Sequence, residues 1–284
     1  MGIQIAACVI VYRPEQFVEH NIASYIKNVQ KIYLIDNTEI KAYDDKFLSA
    51  YISKIVFIHD GNNEGIAKRL NYACKVAIQE GFEFLLTMDQ DSYFEEKYID
   101  KYLECLENFS EKEKVSMFGI NYRKEIKNVD CNCNKANLLI TSGSIINLAA
   151  YKAIGNFDEK LFIDFVDTDY CFQSILKGYE LIEFTNIFMH HNLGEVNGKR
   201  SYKNFKKTQR TFHSSVRLYY MTRNFFYLKK KYHNQFIKKL SAHKTDLLNR
   251  IKNKLLYNKN RFETVQFLFR ALKDYKKNKM GKQF

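Results

Sequence analysis

The stretch EFLLTMDQDS, residues 83–92, is a short apolar run that ends abruptly in two acids. An apolar run of this length is typical of a buried strand, here residues 83–88. Asp89 and Asp91 follow on a tight turn at the end of that strand, where two carboxylates can hold a hard divalent cation and a ribose hydroxyl. Taken alone, the same pair also fits a solvated turn with capping acids.

Three similar apolar runs precede this one, at residues 3–12, 31–36 and 54–59, with helical periodicity between them, most regularly at 64–79. Strands that alternate with helices predict a parallel sheet with right-handed crossovers. Polar residues follow each run. Because the carboxyl ends of parallel strands meet along one edge of the sheet, we expect these tips to line a single ligand-binding crevice.

The second half of the chain differs in pattern and in charge. A strand is predicted at 115–121, a polar loop at 123–137 and another strand at 138–146, and from residue 201 the pattern is helical throughout. Of the 45 Lys and Arg, 25 lie from Glu195 onward, together with only 4 of the 32 Asp and Glu. This asymmetry predicts a catalytic domain over 1–200 and a basic helical extension over 201–284, each with its own partners.

The six cysteines show no spacing typical of a disulfide framework, and the N-terminal residues show no signal-peptide pattern. We therefore expect a reducing, cytoplasmic location. Cys131 and Cys133 lack a second Cys or His pair at zinc spacing, which favours a polar loop over a metal site. No apolar run reaches the ~18 residues that a helix needs to span a bilayer. We therefore expect that the chain does not cross a membrane, although it can lie on one.

A second acidic cluster lies at residues 162–170, where Asp164, Asp167 and Asp169 stand among bulky apolar residues just before a helical pattern. Transfer to a hydroxyl needs a general base, and a partly buried Asp beside other acids can have its pKa raised toward that role. The alternative is a helix N-cap with two surface acids, and either Asp167 or Asp169 could be that cap.

Two adjacent histidines, His190 and His191, follow the strand-like stretch 181–188. Imidazole is a common ligand of borderline divalent ions. Neighbouring residues after a strand project in different directions, so at most one of the two is expected to face a metal site. A structural histidine is the more common alternative for either residue.

Together these stretches resemble the family 2 glycosyltransferases, and within them the bacterial rhamnosyltransferase-like group, over roughly residues 3–230. The matching segments are 11–14 (VYRP), 35–37 (IDN), 63–67 (NEGIA), 70–71 (LN), 88–92 (MDQDS), 141–144 (TSGS), 155–159 (GNFDE), 162–170 (FIDFVDTDY), 191–194 (HNLG), 217–220 (RLYY) and 223–224 (RN). Each is weak alone, and their order and spacing make the resemblance specific.

The resemblance implies a Rossmann-like GT-A fold in which residues 1–95 bind the nucleotide-sugar and 96–200 form the acceptor side. Asp36 would bind the pyrimidine base, Asp89 would approach the ribose, and Asp91 and His191 would hold Mg2+ or Mn2+. The nucleotide-binding residues that it implies are Val11, Tyr12, Asp36, Asn63, Gly65, Asn71, Asp89 and Gln90. On the acceptor side it implies Ser142, Gly143 and Arg223.

The same resemblance makes Asp167 our choice for the base that deprotonates the acceptor hydroxyl, which implies in-line attack and inversion at the anomeric carbon. Val166 stands where many relatives have Glu, so Asp164 and Asp169 stay open as alternatives. Arg223 is a candidate, besides the cation, for the charge that develops on the leaving diphosphate.

The function implied is transfer of L-rhamnose from dTDP-rhamnose to a lipid-linked or polysaccharide acceptor. A UDP-sugar-dependent galactosyl- or galactofuranosyltransferase and a non-catalytic nucleotide-sugar or membrane-binding module are the alternatives. The Lys-rich helical stretches 225–240 and 247–272 fit a surface on anionic lipid at the inner face of the cell membrane. Equally, they fit solvated faces over an apolar seam packed on the catalytic domain or on a second subunit of a homodimer. No motif accompanies them that would indicate nucleic acid.

Overall fold

The computed structural model describes residues 2–14, 18–41, 49–125, 128–191, 196–200, 207–211, 213–257 and 260–284, with the ranges 196–200 and 207–211 described by their backbone. The chain divides into two units. The first comprises Met1–Glu159 and Val166–Asn192, and the second comprises Lys160–Phe165 and Leu193–Phe284.

An eight-stranded mixed sheet forms the centre of the first unit, with strand order β3-β2-β1-β4-β8-β6-β9-β7. Its strands are β1 (Ile5–Val11), β2 (Lys31–Asp36), β3 (Ile55–His59), β4 (Phe84–Asp89), β6 (Val115–Asn121), β7 (Cys133–Lys135), β8 (Ser144–Asn147) and β9 (Glu180–Phe188). The strands β1 to β4 pair in parallel, and β8 runs antiparallel between β4 and β6. The predicted α/β class with a mostly parallel sheet is confirmed.

Helices flank this sheet in the first unit: α1 (Val18–Ala23), α2 (Ile66–Gln79), α3 (Glu96–Asn108), α4 (Leu148–Ile154) and α5 (Val166–Leu176), with short 3-10 turns at Ile26–Asn28 and Lys112–Lys114. Every residue of β1 is buried, as expected of a strand covered on both faces. A cluster of buried apolar residues joins β1, β2, β4, α3 and β9. This core holds the carboxyl ends of β1, β2 and β4 side by side.

A disulfide joins Cys105 of α3 to Cys131, with 5.3 Å between their Cα atoms. The spacing of the cysteines does not indicate this pairing, because the two cysteines meet only through tertiary packing. Cys133 is a free, exposed thiol in β7, a short strand inside the segment that was predicted to be entirely loop.

In the described part of the chain, no helix is long and apolar enough to cross a bilayer.

The second unit contains a two-stranded antiparallel ribbon, β11 (Val196–Arg200) with β12 (Lys207–Thr211), and the helices α6 (Ser215–Lys231), α7 (Ile237–Tyr257) and α8 (Arg261–Lys276). The prediction of helix throughout from residue 201 is therefore wrong for β12. Its sequence, KTQRT, carries no apolar alternation that would indicate a strand. The three helices pack through two apolar clusters centred on α6.

Candidate metal and nucleotide site

Three potential metal ligands converge beyond the end of β4. One ligand atom each from Asp89, Asp91 and His191 lies within 4.8 Å of the other two. Asp91 Oδ1 is 3.6 Å from His191 Nδ1. Two carboxylates with one imidazole make a donor set that suits Mn2+, and the carboxylates alone also suit Mg2+. The residues present therefore fit the divalent cation that the resemblance implies.

His191 reaches this position through a short antiparallel ribbon of β5 (Ser92–Tyr93) and β10 (His190–His191). His191 is paired with Ser92 and His190 with Tyr93. Because successive side chains alternate across a strand, Ser92 and His191 share one face, whereas Tyr93 and His190 share the other. Of the two histidines, only His191 belongs to the metal cluster, in line with the expectation that at most one faces it.

His190 makes contacts of a different kind. Its ring stacks on Tyr93 with 4.5 Å between centroids, and its Nε2 lies 3.1 Å from Glu95 Oε1. A hydrogen bond from Lys97, together with the one from His190, lowers the pKa of Glu95. These contacts fix the outer face of the ribbon, so that the inner face presents His191 in one orientation.

Beneath the metal cluster, a chain of hydrogen bonds runs through two buried serines. The Asp89 backbone N–H donates to Ser142 Oγ at 3.1 Å, and Ser142 Oγ donates to Ser92 Oγ at 2.8 Å. Ser92 Oγ lies 2.6 Å from His191 Nδ1. When Nδ1–H donates to Ser92, the lone pair that can bind a cation is on Nε2. We call these two serines the serine relay; Ser142, predicted on the acceptor side, here supports the metal ligands.

Gly143, the next residue, lies in the left-handed region with φ of 75°, and its N–H donates to the Thr87 carbonyl at 2.8 Å. A Cβ at this position would lie 2.8 Å from Met189 Sδ and 2.9 Å from Ile120 Cδ1. The glycine is thus required by its backbone conformation and by close packing beside the site. The acceptor contact predicted for Gly143 stays a prediction.

On the nucleotide side, Asp36 is fully buried at the end of β2. One of its carboxylate oxygens accepts from the Thr38 N–H at 3.0 Å, and the other lies 3.3 Å from His59 Nδ1. Gly65 has φ of 80° and precedes the first residue of α2. The Gly65 N–H donates to Asn63 Oδ1 at 3.2 Å.

Arg69 of α2 links the residues that follow β2 and β3. Its role was not predicted from the sequence. Its guanidinium makes a two-pronged ion pair with Asp60, with N–O distances of 2.6 and 2.8 Å, and its Nε donates to Asn37 Oδ1 at 3.0 Å. Asn37 in turn donates to Asn63. The hydrogen bonds from Arg69 lower the pKa of Asp60 to about 2. The sequence did contain a signal for Arg69. It lies beside Leu70 on the buried face of an amphipathic helix, where a charged side chain needs a partner.

Asn71, predicted to contact the nucleotide, is instead saturated by other partners. Its amide donates to the Phe157 carbonyl and to Glu159, and its Oδ1 accepts from the Phe157 N–H and from Tyr151 Oη, all at 2.8–2.9 Å. An Asn side chain has two donors and two acceptor sites, and these four contacts use them in this structure. Asn71 thereby fastens the 155–159 segment to α2, and the nucleotide contact predicted for it stays a prediction.

Gln90 lies between Asp89 and Asp91 and connects their turn to the end of β1. Its Oε1 accepts from the Tyr12 N–H at 2.7 Å, and its carbonyl accepts from Asn21 at 2.8 Å. Val11 is fully buried and Tyr12 is partly exposed. A nucleotide contact by Val11, Tyr12 or Gln90 stays a prediction.

The three candidate bases have distinct surroundings. Asp167 is half-buried in the first turn of α5, where its Oδ1 accepts from the Thr168 N–H at 2.7 Å. Asp169 is fully buried and accepts from Gln173 at 2.6 Å. Asp164 belongs to the second unit and forms an ion pair with Arg217, with an N–O distance of 3.2 Å.

Arg223, the remaining predicted residue, is fully buried in the second unit. Its Nη1 donates to the Gly281 carbonyl at 2.8 Å, and its guanidinium lies over the ring of Tyr220. Arg223 therefore fastens the C-terminal residues to α6 in this structure. The substrate contact predicted for Arg223 stays a prediction.

The sequence of this chain is similar to those of sugar-transferring enzymes. Residues 6–134 match the family model described as glycosyl transferase family 2. The chain is 28% identical to the dTDP-rhamnosyl transferase RfbF of Shigella flexneri, in an alignment that covers 91% of this chain and 93% of that protein.

Solved structures share the fold. A fragment of S. aureus TarS matches with a TM-score of 0.54 and 16% identity, covering 96% of this chain and 80% of that one. GalNAc-T7 with UDP, GalNAc and Mn2+ matches with a TM-score of 0.55 and 11% identity over 66% of this chain and 44% of that one. The chain thus spans less than half of that second protein. At these identities the likeness concerns the fold, which is GT-A as predicted.

Proposed function

Because this chain is a glycosyltransferase of family 2, we propose that it transfers L-rhamnose from dTDP-rhamnose, with inversion, to a lipid-linked or polysaccharide acceptor. The observation that carries the proposal is the convergence of Asp89, Asp91 and His191 at the end of β4. The alternative from another functional class was a non-catalytic binding module. We do not pursue it, because the chain is a glycosyltransferase enzyme.

Asp91 and His191, with Asp89 beside them, would hold Mg2+ or Mn2+, and such a cation supplies positive charge to a leaving diphosphate. The protein's own part is to place the ligands. The Ser92 contact orients the imidazole, and the hydrogen bond from Asp89 N–H to Ser142 fixes the turn. In this proposal residues 1–95 bind the nucleotide-sugar, 96–200 form the acceptor side, and 201–284 are the basic extension.

Asp167 is the base in this proposal. It is partly exposed, whereas Asp169 is fully buried and Asp164 is engaged by Arg217. A carboxylate oxygen of Asp167 takes the proton of the acceptor hydroxyl while the hydroxyl oxygen of the acceptor bonds to the anomeric carbon. The bond from the anomeric carbon to the diphosphate breaks on the opposite side, and its electron pair leaves with dTDP, which inverts the anomeric centre.

Support for the rhamnose donor is the relationship to RfbF, which extends over 91% of this chain. UDP-sugars such as UDP-galactose and UDP-galactofuranose are the rival donors, because UDP is bound in the GalNAc-T7 structure and the predicted base contact of Asp36 suits any pyrimidine. A lipid-linked acceptor used in capsule or O-antigen synthesis would place the enzyme at the inner, cytoplasmic face of the cell membrane.

The donor is tested by incubating the full chain with a panel of nucleotide-sugars and Mn2+, and by measuring both the released nucleotide and the melting temperature. We expect dTDP-rhamnose to give the fastest release and the largest stabilisation, and Asp91→Ala to abolish both. Faster turnover of a UDP-sugar would overturn the proposed donor. Turnover that is indifferent to Asp91→Ala and to chelation would overturn the proposed site.

A further inference from the structure

Helix α8 has one face that packs within the second unit and another face whose large apolar side chains are exposed. On the packed face, Ala271 lies in the apolar cluster with Tyr219 and Tyr220 of α6, and Asp274 accepts from Tyr219 Oη at 2.9 Å. Thr264 Oγ1 lies 3.1 Å from Ser215 Oγ. These contacts fix the rotation of α8 about its axis.

The opposite face presents large apolar side chains to solvent. Phe262 is 76% exposed, Phe269 is 70% exposed and Val265 is 36% exposed. At spacings of three and seven residues along a helix, the three side chains lie in one stripe, which we call the α8 ridge. Two phenylalanines exposed on the same stripe of a helix mark an interaction surface rather than scattered surface apolar residues.

Positive charge surrounds the α8 ridge. Lys273 and Lys276 continue the same stripe toward the end of α8, and both are exposed. Residues 213–284 contain 19 Lys and Arg but only Asp246, Glu263 and Asp274 as acids. Apolar side chains with lysines on the same helix are the combination that binds the interface of an anionic bilayer, where the rings enter the acyl boundary and the ammonium groups stay at the headgroups.

We propose that the α8 ridge inserts into the surface of an anionic membrane and holds the enzyme beside a lipid-borne acceptor. The inference deepens the proposed function and rests on it for the acceptor alone, because binding to lipid can be measured without turnover. A second copy of the chain fits the ridge less well, because residues 213–284 carry 19 Lys and Arg against three acids and two such basic surfaces repel each other, whereas an anionic surface attracts them.

The chain contains no tryptophan, so Phe269→Trp introduces a single tryptophan into the ridge, and its emission can be excited selectively over that of the tyrosines. The matched control is Ile40→Trp, since Ile40 is 79% exposed in the first unit. With vesicles that contain phosphatidylglycerol we expect the emission of the Phe269→Trp protein to shift to shorter wavelength, and that of the Ile40→Trp protein to stay unchanged. Vesicles of phosphatidylcholine alone should shift neither.

Co-sedimentation with the same vesicles then measures affinity. The double variant Phe262→Ser/Phe269→Ser should bind anionic vesicles at least about tenfold more weakly than the original chain, and Ile40→Ser should bind as well as the original. Lys273→Gln/Lys276→Gln should reduce the salt dependence of binding. Release of nucleotide from dTDP-rhamnose in the absence of vesicles should be unchanged in all these variants, which separates this inference from the proposed function.

Undiminished vesicle binding by the double Phe variant would overturn the inference. So would a dimer of the original chain that dissociates in the double variant while vesicle binding is absent from both proteins, because the ridge would then belong to a second copy.

Discussion

Asp91 Oδ1 and His191 Nδ1 lie 3.6 Å apart, although Asp91 follows β4 and His191 follows β9. The antiparallel pairing of His191 with Ser92 brings them together. A cation held between these two residues would join two distant segments of the chain. Metal binding and local folding of the β5–β10 ribbon should therefore be coupled.

Replacing Asp91 with Ala is expected to lower Mn2+ affinity by at least roughly a hundredfold, because a ligand lost outright costs more than a supporting contact. Isothermal titration of the nucleotide-bound protein with Mn2+ measures the change. Glu113→Ala is the control, since Glu113 is an exposed acid outside the cluster. Equal affinities in the two variants would remove Asp91 from the site.

Ser92→Ala is expected to weaken Mn2+ binding by roughly 10–100-fold, because the imidazole of His191 loses the partner that orients it. Transfer should recover when Mn2+ is raised to saturation, so the variant should change the metal concentration needed far more than the maximal rate. Ser116→Ala is the matched control. Ser116 is equally buried, but its hydroxyl donates to the Glu180 carbonyl. A similar loss of metal affinity in both variants would show a general packing effect.

Asp167→Asn is expected to slow sugar transfer by roughly a hundred- to ten-thousandfold, because the acceptor hydroxyl loses its base. Donor binding, followed by thermal shift with Mn2+, should persist. Asp169→Asn and Asp164→Asn should retain most of the transfer rate, although the second loosens the pair with Arg217. If instead Asp169→Asn were the inactive variant, the base would have to be reassigned.

The strands and the metal cluster could be predicted from the sequence because their signals are local. The apolar run before Asp89 gives β4, and the order of the family motifs places His191 with Asp91. The serine relay and Arg69 were missed for a physical reason: their partners come from distant segments, and a serine or an arginine gives no periodic signal. The contacts of Asn71 with Phe157 and Glu159 were missed for the same reason, because those partners lie more than 80 positions away in the sequence.

Two further features that the sequence did not predict have the same origin. Cys105 and Cys131 meet because α3 and the segment before β7 pack together, which the spacing of the cysteines does not indicate. The ribbon strand β12 is polar on both faces, so neither helical nor strand periodicity identifies it.

Arg69→Lys is expected to lower the free energy of unfolding by roughly 1–3 kcal/mol, because one ammonium cannot reproduce the fork that binds Asp60 and Asn37. The strand tips that line the nucleotide side should loosen as well, and the KM for the donor should rise more than kcat falls. Urea unfolding and steady-state kinetics measure the two effects. The control is Lys68→Ala. Lys68 is the sequence neighbour of Arg69 and forms an exposed ion pair with Glu64, and its removal should lower the free energy of unfolding by under about 0.5 kcal/mol. Equal costs would contradict a special role for Arg69.

His213 makes the second unit sensitive to acid. Burial, reinforced by the positive charges of Arg217, Arg250 and Lys254, lowers its pKa from the usual 6.5 to about 4, against a smaller opposing effect of Asp246. Arg250 contacts His213 Nε2 and can only donate, so this nitrogen is the unprotonated acceptor.

Because the pKa of His213 is lower in the folded protein, the unfolded chain binds more protons between pH 6.5 and pH 4. The free energy of unfolding should therefore fall as the pH drops through this window, by on the order of 1–2 kcal/mol after allowance for partial exposure. His213→Gln, whose carbonyl can still accept from Arg250, should flatten this slope, and His233→Gln at an exposed position should leave it unchanged. Urea titrations followed by helical circular dichroism at several pH values measure the slope. An unaltered slope in His213→Gln would assign the acid sensitivity to another group.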